Sequence, residues 1–300
     1  LIIFPFAAYI YYFIMEYKFL KPPPPTKYNV LSLGSGVQST CMALMAAKGE
    51  ITPMPDFAIF ADTMSEPKSV YKHLSWLELR LPFPIYKVTQ GNLEDASMKA
   101  KIRQRDGKKY VERTIPLFGI KADGSHTAAI GRACTSNYKI KPIYKFLRSK
   151  CEIKRGQKDT SVTSLVGISW DEIERMRDSK YAWAQHRYPL VEMKMTRNDC
   201  KIWLKKNGYE EPPRSACYYC PFHNNSDWRD LKKNDPKDFE RAVEFDKKIR
   251  QFYKDNDDYP MKVFLHSSCK PLDEVDLSTD EEKGQMTWDF KAECEGMCGV

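Results

Sequence analysis

Short apolar runs alternate with helix-forming segments from Tyr28 onward, and no other feature of the sequence constrains the fold as strongly. The run Tyr28–Leu33 reads YNVLSL, is followed by glycine, and predicts a buried strand. Apolar residues at helical spacing follow over Gln38–Lys48, and Gly49 marks the end of that helix. The alternation continues with strands predicted at Asp56–Ala61, Phe83–Val88 and Ser161–Ile168 and a helix predicted at Lys68–Arg80. It predicts an α/β fold in which helices flank a parallel sheet, with ligands bound beyond the carboxyl ends of the strands.

The composition is that of a globular protein that does not depend on disulfides. Of the 300 residues, 42% are hydrophobic and 29% are charged, which excludes a disordered chain. A chain of this length buries about three quarters of its unfolded surface, so its core suffices for stability. There are nine cysteines, an odd number that cannot all pair in disulfides within the chain. The sequence also shows no convincing secretory signal. We therefore expect a cytoplasmic protein in which thiols serve as metal ligands or in catalysis.

The first fifteen residues, Leu1–Met15, carry no charge. As a helix they would span about 22 Å, which is short of the roughly 30 Å hydrocarbon core of a bilayer. We interpret Met15 as the natural start of the protein and the preceding residues as upstream translation, with a membrane anchor as the alternative. Four prolines, Pro22–Pro25, then predict a stiff linker. Residues 1–27 are therefore assigned to a segment outside the folded core.

A loop rich in glycine and hydroxyl groups joins the first predicted strand to the first predicted helix. Glycines let the backbone approach a ligand closely, and the amides at a helix start favour an anion. The loop is neither a Walker loop nor a G-x-G-x-x-G fingerprint, and an ordinary strand–helix turn is the alternative interpretation. The candidate nucleotide-binding residues here are Ser32, Gly34, Ser35, Gly36, Gln38, Ser39 and Thr40.

A second polar loop, which begins with Asp62 and Thr63, follows the second predicted strand. Because the carboxyl ends of parallel strands lie at one edge of a sheet, this loop is expected beside the first. Asp62 suits three roles, as a partner of a ribose, of a metal or of a loop amide. Two polar loops at adjacent strand ends predict a binding pocket.

The segments SLGSGVQST and FADTMSEP resemble the loops of the PP-loop adenine-nucleotide α-hydrolases, especially the phosphoadenosine phosphosulfate reductase-like branch in its phage and bacterial form. Gly167, Glu172 and Arg175 resemble that branch's G-I-R-x-x-E-x-x-R stretch, and residues 188–203 resemble its P-L…W-T…D-V-W segment. The resemblance covers residues 28–222. It implies a Rossmann-like (HUP-type) nucleotide-binding domain over residues 28–215, while residues 216–300 read as a cysteine-containing helical extension packed on it. It also implies ATP or another adenine nucleotide as ligand, with Mg²⁺ as a candidate ion.

Four positions depart from the family pattern. Gly34 and Ser35 replace the Ser-Gly that begins the family loop. Gln38 stands where the family loop S-G-G-x-D-S has aspartate, and a neutral amide does not hold Mg²⁺ as a carboxylate does. Ser169 replaces the arginine of G-I-R, which removes a clamp for phosphate or sulfate. These departures favour one alternative function, a non-catalytic accessory protein that binds a nucleotide or zinc.

The C-x-x-C pair Cys217 and Cys220 is the centre of a cysteine pattern. Thiolates are soft ligands that suit iron–sulfur clusters or zinc. The stretch from Cys134 through Lys139 resembles the Cys-Cys-x-x-Arg-Lys-x-x-Pro-Leu stretch of the iron–sulfur adenosine phosphosulfate reductases, although Thr135 replaces its second cysteine. Those enzymes also carry a later C-x-x-C.

This second resemblance implies a [4Fe–4S] cluster, with Zn²⁺ as the alternative. The implied ligands are Cys134, Cys217, Cys220 and Cys294. The reductase tail ends Glu-Cys-Gly-Leu/Ile-His and its cysteine is the mobile nucleophile, so Cys298 is implied as a catalytic thiol, with Lys139 as the second catalytic residue. The roles of Cys294 and Cys298 are interchangeable on this pattern.

The charge distribution favours a polyanionic partner near the middle of the chain. From Lys101 to Lys150 there are 13 basic and 3 acidic residues, whereas Pro271 to Val300 holds 9 acidic and 2 basic residues. A basic stretch of this kind indicates phosphate or nucleic acid nearby, and a solvated basic face is the alternative.

The leading hypothesis is an enzyme that uses an adenine nucleotide to drive sulfur transfer, in the thiolation of DNA or tRNA, with a separate sulfur donor. The alternative enzyme is a sulfonucleotide reductase, in which Cys298 attacks the sulfate sulfur and a thioredoxin-like partner then releases the product. No membrane partner is expected, and the sequence leaves the oligomeric state open.

Overall fold

The computed structural model describes residues 19–258 and 261–279. Within this part of the chain, a sheet of five parallel strands forms the centre of the fold. Its strands are β1 (Tyr28–Ser32), β2 (Phe57–Asp62), β3 (Ile85–Thr89), β8 (Val162–Val166) and β9 (Ala184–Arg187). Their order is β3-β2-β1-β8-β9. The predicted α/β class with a parallel sheet flanked by helices is confirmed.

Helices cover both faces of the sheet, because successive residues of a strand point to opposite sides. The helices are α1 (Val37–Ala47), α2 (Lys68–Glu78), α3 (Leu93–Ser97), α4 (Lys141–Lys150), α5 (Pro189–Glu192), α6 (Arg197–Lys206), α7 (Asn225–Asn234) and α8 (Pro236–Asn256). On β1, Leu31 packs in a core with α1, α2 and α6. Its neighbour Val30 packs in a second core, with Leu147 of α4. Cys41 and Cys200 are fully buried in the first core, where they act as small apolar residues.

The start of α6 is fixed by a capping box, whose two residues stand three positions apart in the sequence. Thr196 accepts a hydrogen bond from the amide of Asp199, and the Asp199 carboxylate accepts one from the amide of Thr196, which closes a capping box. The helix ends before Gly208, whose φ of 76° lies in the left-handed region that glycine tolerates. The prolines Pro212 and Pro213 follow, so the chain leaves the helix there.

An antiparallel region beside the parallel sheet was not predicted. A hairpin pairs β4 (Ala100–Ile102) with β5 (Lys109–Val111), and a three-stranded sheet has the order β10-β6-β7. Its strands are β6 (Leu117–Lys121), β7 (His126–Ile130) and β10 (Met261–Phe264). Residues from both halves of the chain, including Leu117, Trp228 and Phe245, share one apolar cluster beneath it. The division of the chain into domains stays a prediction.

Some predicted features lie outside the described residues. The uncharged run Leu1–Met15 is one of them, and the C-terminal cysteines Cys294 and Cys298 are others. In the described part of the chain, no helix combines the length and the apolar character that crossing a bilayer requires.

Candidate active site

The predicted nucleotide loop joins the end of β1 to the start of α1, at the centre of the sheet. The chain order of the strands reverses beside β1, because β2 flanks it on one side and β8 on the other. Such a reversal opens a crevice at the carboxyl ends of the strands, where ligands bind in open α/β sheets. Ser35 has a φ of 67° and is fully buried, so the backbone turns sharply within the loop. Helix α1 begins directly afterwards with Gly36 at its N-cap and no side-chain cap.

Gly167 lets the end of β8 lie against the first turn of α1. A β-carbon at this position would lie 3.1 Å from the Ser39 amide nitrogen and 3.3 Å from the Ser39 Cα. A side chain would therefore press on the backbone of the loop itself. The Ser39 hydroxyl donates to the carbonyl of Gly36 at 3.3 Å, which stabilises the same turn.

Gln38 is fully buried and holds the loop to two segments that are distant in sequence. Its amide nitrogen donates to Ser169 Oγ at 3.4 Å and to Glu172 Oε2 at 3.2 Å. Its amide oxygen accepts from Arg197 Nη1 at 2.7 Å. An aspartate would offer no donor to Ser169 and Glu172, so the glutamine is matched to this network. The observed role of Gln38 is to fix the loop.

Glu172 and Arg175, two of the predicted nucleotide-binding residues, form an ion pair with each other. Burial raises the pKa of the Glu172 carboxyl, and the nearby guanidinium of Arg175 opposes that shift. Through Gln38, this pair is connected to the loop. The predicted residues of the G-I-x-x-x-E-x-x-R stretch therefore lie beside the loop after β1.

Thr40 contacts His73 of α2, with 3.0 Å between Thr40 Oγ1 and His73 Nε2. Burial lowers the pKa of His73 to about 4, so its imidazole is neutral at pH 7. Because the folded-state pKa lies below the ordinary value, the neutral imidazole stabilises the fold above pH 6.5. This stabilisation is lost as the pH falls through about 4.

Replacing His73 by glutamine is expected to remove this pH dependence. Between pH 7 and about pH 4.5, the free energy of unfolding of the wild type should fall by about 2–3 kcal/mol more than that of His73→Gln. The amide of glutamine still offers Thr40 a hydrogen-bond partner. Urea unfolding at both pH values measures the difference, and parallel pH profiles for the two proteins would contradict the assignment.

Asp62 accepts a hydrogen bond from a loop amide, which is one of the three roles predicted for it. Its Oδ1 accepts from the Met64 amide at 2.7 Å and from the Tyr71 hydroxyl at 2.8 Å. The next residue, Thr63, is fully buried, and its hydroxyl lies 3.3 Å from Cys217 Sγ. The second loop therefore connects the predicted nucleotide site to the C-x-x-C pair.

The C-x-x-C segment is attached to both loops. Ser215 donates a hydrogen bond to the carbonyl of Gly34 in the first loop. The amide of Tyr218 donates to the carbonyl of Ser65 in the second loop at 2.9 Å. The Tyr219 hydroxyl donates to Ser65 Oγ at 3.0 Å. The two cysteines are therefore held next to the nucleotide loops by direct hydrogen bonds.

Lys139 lies among the predicted cysteine ligands and faces a buried carboxylate. Its ammonium lies 3.8 Å from Glu66 Oε1, and the two side chains are 15% and 1% exposed. Burial acts to lower the pKa of Lys139, but Glu66 and then Cys217, Cys134 and Cys220 outweigh it, so the pKa is raised. Burial raises the pKa of Glu66, against the attraction of Lys139.

Three of the four predicted metal ligands belong to one apolar cluster, in which Cys217 is buried and Cys134 and Cys220 are half-buried. Burial raises the pKa of Cys220 to about 11, and it also raises the pKa of Cys217. The donor types suit a soft metal or an iron–sulfur cluster. Among residues 19–258 and 261–279, no group of three or more potential ligands is close enough to hold an ion. The fourth predicted ligand, Cys294, lies outside those residues.

A cavity of about 400 Å³ opens beside this site, between the start of α2, the start of α6 and the C-x-x-C segment. Arg197, Arg214 and His223 are among its lining residues. Arg214 forms an ion pair with Asp227 at 2.5 Å, while its Nε and Nη2 have no hydrogen-bond partner among the described residues. Burial lowers the pKa of His223 to about 3, so this imidazole is neutral.

Several residues of the site were not predicted to belong to it. In the sequence, Glu66 reads only as part of a helix start, although it supplies the partner of Lys139. Arg197 follows the capping residue of α6, and its contact with Gln38 spans 159 residues. Arg214 differs from these two, because a basic residue three positions before the C-x-x-C pair is predicted from the sequence to lie near the thiols and favour the thiolate. For Glu66 and Arg197 the sequence carries no such signal.

No protein-family model matches the sequence, and no curated protein matches it. Solved structures do match, among them a phosphoadenylyl-sulfate (PAPS) reductase from Candida auris in complex with phosphate. The likeness covers 67% of this chain and 81% of that chain, at 11% sequence identity and a TM-score of 0.36. At these values the likeness carries no argument about activity.

Proposed function

We propose that this protein is a PP-loop enzyme that uses ATP to drive the transfer of sulfur to a nucleic acid. One observation carries the proposal: the C-x-x-C segment is hydrogen-bonded to both loops at the carboxyl end of the sheet, through Ser215, Thr63 and Tyr218. Nucleotide chemistry at the first loop and sulfur chemistry at the cysteines would then take place side by side. The sequence resemblance to the PP-loop proteins supports the same assignment.

The loop after β1 supplies the phosphate site in this proposal. The amides of the first turn of α1 have no side-chain cap, and they favour the negative charge of a phosphate. The Ser35 hydroxyl is buried and has no hydrogen-bond partner in the described chain. Gln38 fixes the turn through Glu172 and Arg197. These hydrogen bonds hold the loop in place without a nucleotide, and a loop that is ordered in advance reduces the entropic cost of binding.

The proposed reaction proceeds in two displacements. An oxygen of the nucleic acid attacks the α-phosphate of ATP and pyrophosphate leaves, so the oxygen becomes part of an adenylate. The terminal sulfur of a persulfide on Cys298 then attacks the atom that carries this oxygen, and AMP leaves with the oxygen and the bonding electron pair. A second thiol of the protein attacks Cys298 at the remaining S–S bond and forms a disulfide. A persulfide donor and an external dithiol return the enzyme to its starting state.

Pyrophosphate release tests this function. The full chain, purified without oxygen, is incubated with ATP and with either tRNA or single-stranded DNA. Release that rises at least tenfold with one of these acceptors supports the proposal. Cys298→Ser should retain pyrophosphate release and lose sulfur incorporation, because only the second displacement needs the thiol. A wild type that neither binds ATP nor releases pyrophosphate would refute the proposal and favour a non-catalytic accessory protein.

We also propose a [4Fe–4S] cluster on Cys134, Cys217, Cys220 and Cys294, with Zn²⁺ as the alternative. A bound cluster would supply electrons or hold sulfur near the loops. The position of three of these cysteines in one apolar cluster near Lys139 supports the assignment, because a nearby cation offsets the negative charge of a thiolate-ligated cluster.

Metal content provides the corresponding prediction. The anaerobically purified protein should contain about four irons per chain and absorb broadly in the visible range. Cys217→Ser should lose most of this iron. Cys200→Ala removes a buried cysteine outside the pattern and should keep it. One equivalent of zinc and a colourless protein would assign the alternative metal, and equal metal loss in both variants would contradict the ligand assignment.

The second candidate is the reduction of a sulfonucleotide, and the position of Lys139 among the thiols favours it. In this reaction Cys298 attacks the sulfate sulfur, a thiosulfonate forms and the nucleotide leaves. A thioredoxin-like dithiol then reduces the thiosulfonate and sulfite leaves. Sulfite release from adenosine phosphosulfate, or from its 3′-phosphorylated form, distinguishes reduction from thiolation.

A further inference from the structure

A second cavity, of about 890 Å³, lies away from the nucleotide loops, between helix α8 and the end of the sheet that β6 and β10 form. The turn after β6 closes it on one side, where Lys121 lies directly opposite Met261 of β10. None of the described residues assigned to the two proposed reactions lines this cavity, which we call the basic cleft. The charge and polarity of its lining indicate which kind of ligand it can bind.

Positive charge dominates the basic cleft. Five cationic side chains line it, and Asp257 is the single acidic side chain in its lining among the described residues. The five are Lys121, Lys247, Arg250, Lys254 and Lys262. Charges of one sign in a concave surface concentrate counterions and attract ligands of the opposite sign.

Two of the five cations already have carboxylate partners. Lys247 lies 2.7 Å from Asp273, and Arg250 lies 2.9 Å from Asp246. In the described part of the chain, the other three form no ion pair and are exposed to solvent; these are Lys121, Lys254 and Lys262. They come from three different elements and all line the basic cleft, so an anion bound there need not break an existing pair.

The floor of the basic cleft is apolar. Tyr253, Val263 and Phe264 are buried beneath it, and Met261 is half-buried at its edge. An inorganic ion would use only the lysines. A ligand with regularly spaced phosphates and flat apolar rings would use both the cationic rim and the apolar floor, which is the combination found in nucleic-acid grooves.

We propose that the basic cleft binds a single-stranded nucleic acid through its phosphates. The role of this binding in catalysis rests on the proposed function, because the strand would be the sulfur acceptor. Strand β6 connects the cleft to the cysteine site: Lys121 is at the cleft, and Leu117 pairs with Ile130, four residues before Cys134. At about 3.4 Å per residue, Lys121 and Leu117 are roughly 14 Å apart. Leu117 belongs to the same apolar cluster as Cys217 and Cys134, so β6 leads from the cleft toward the cysteine site.

The test measures binding of fluorescein-labelled 20-nucleotide single strands, one of DNA and one of RNA, to the full chain by anisotropy. The cleft variant combines Lys121→Gln, Lys254→Gln and Lys262→Gln. The matched control combines Lys158→Gln, Lys180→Gln and Lys205→Gln, which removes the same charge from exposed positions outside the cleft. Titrations are repeated over a range of salt concentrations, and thermal melts establish that both variants are folded.

The cleft variant should bind at least tenfold more weakly than the wild type. Its plot of log K against log salt should become less steep by about two to three, since each lost phosphate contact contributes about one to the slope. The control should stay close to the wild type. A preference for RNA or for DNA identifies the natural strand, and either one supports the proposal.

Equal weakening in the two variants would overturn the proposal, and so would a wild type that binds neither strand. Binding is measured without ATP, and pyrophosphate release is measured separately. A wild type that binds the strand and releases no pyrophosphate would refute the proposed function, but it would not contradict nucleic-acid binding by the basic cleft. Another outcome is that nucleic acid stimulates pyrophosphate release equally in the cleft variant and in the wild type. This result would refute the role of the basic cleft in binding the acceptor and would leave the proposed function intact.

Discussion

Replacing Lys139 by methionine is expected to lower the free energy of unfolding by about 3 kcal/mol. The lysine is the cationic partner of Glu66, whose side chain is 1% exposed. Methionine fills a similar volume, so the change removes the charge and leaves packing largely intact. The Glu66 carboxylate then remains buried without its opposite charge, which is costly in an apolar surrounding. Chemical denaturation of the full chain at pH 7 measures the loss.

The neighbouring Lys141→Met provides the matched control. Lys141 is exposed and its ammonium donates to Asn137 Oδ1 at 2.7 Å, so its loss should change stability by less than about 0.5 kcal/mol. Adding Glu66→Gln to Lys139→Met should recover at least about 1 kcal/mol, because the unpaired charge is then gone. Equal losses of stability in the two lysine variants, or no recovery in the double variant, would contradict the conclusion that Lys139 stabilises the fold by pairing with Glu66.

Local patterns were sufficient to predict the parallel sheet and the position of the first loop. The strand predicted at Tyr28–Leu33 is observed as Tyr28–Ser32, and the helix predicted at Gln38–Lys48 is observed as Val37–Ala47. Both depend on the spacing of apolar residues within a few turns or strand positions. The capping box at Thr196 is equally local. Such features need no knowledge of distant parts of the chain.

The partners of the polar side chains could not be predicted, because they come from distant segments. Gln38 reads as a poor replacement for a metal-binding aspartate, yet its contacts with Glu172 and Arg197 make it a structural residue. His73 reads as an ordinary helix residue, and only the fold brings it to Thr40. Hydrogen-bond partners of this kind depend on tertiary packing and leave no periodic signal.

The antiparallel region escapes sequence-based prediction for a related reason. Strand β10 pairs with β6 across 140 residues between Lys121 and Met261. The strands of this region are only three to five residues long, which is too short for an alternating pattern to stand out from a loop. The basic stretch indicates phosphate binding from the sequence alone. Of the basic residues in that stretch, only Lys121 lines the basic cleft; the other four cations of its lining come from α8 and β10, and only the fold brings them together.

Replacing Gly167 by valine is expected to weaken ATP binding at least tenfold and to lower the free energy of unfolding by about 1–3 kcal/mol. The new β-carbon would lie 3.1 Å from the Ser39 amide nitrogen, and the two methyl groups of valine would increase the overlap. Backbone atoms at the start of a helix cannot move aside as a flexible side chain can. The loop must therefore shift, and its amides no longer face the phosphates in the same way. Isothermal titration with ATP measures the effect on binding.

Gly156→Ala separates the loss of binding from the loss of stability. Gly156 has a φ of 79°, and a β-carbon added there would meet no atom within 4 Å, so alanine strains only its own backbone, by about 1–2 kcal/mol. This variant should be destabilised to a similar degree and bind ATP as the wild type does. If the two variants lose affinity equally, binding follows overall stability and the close approach of Gly167 to Ser39 has no specific role. If only Gly167→Val loses affinity, the phosphates of ATP bind at the turn that Gly167 supports.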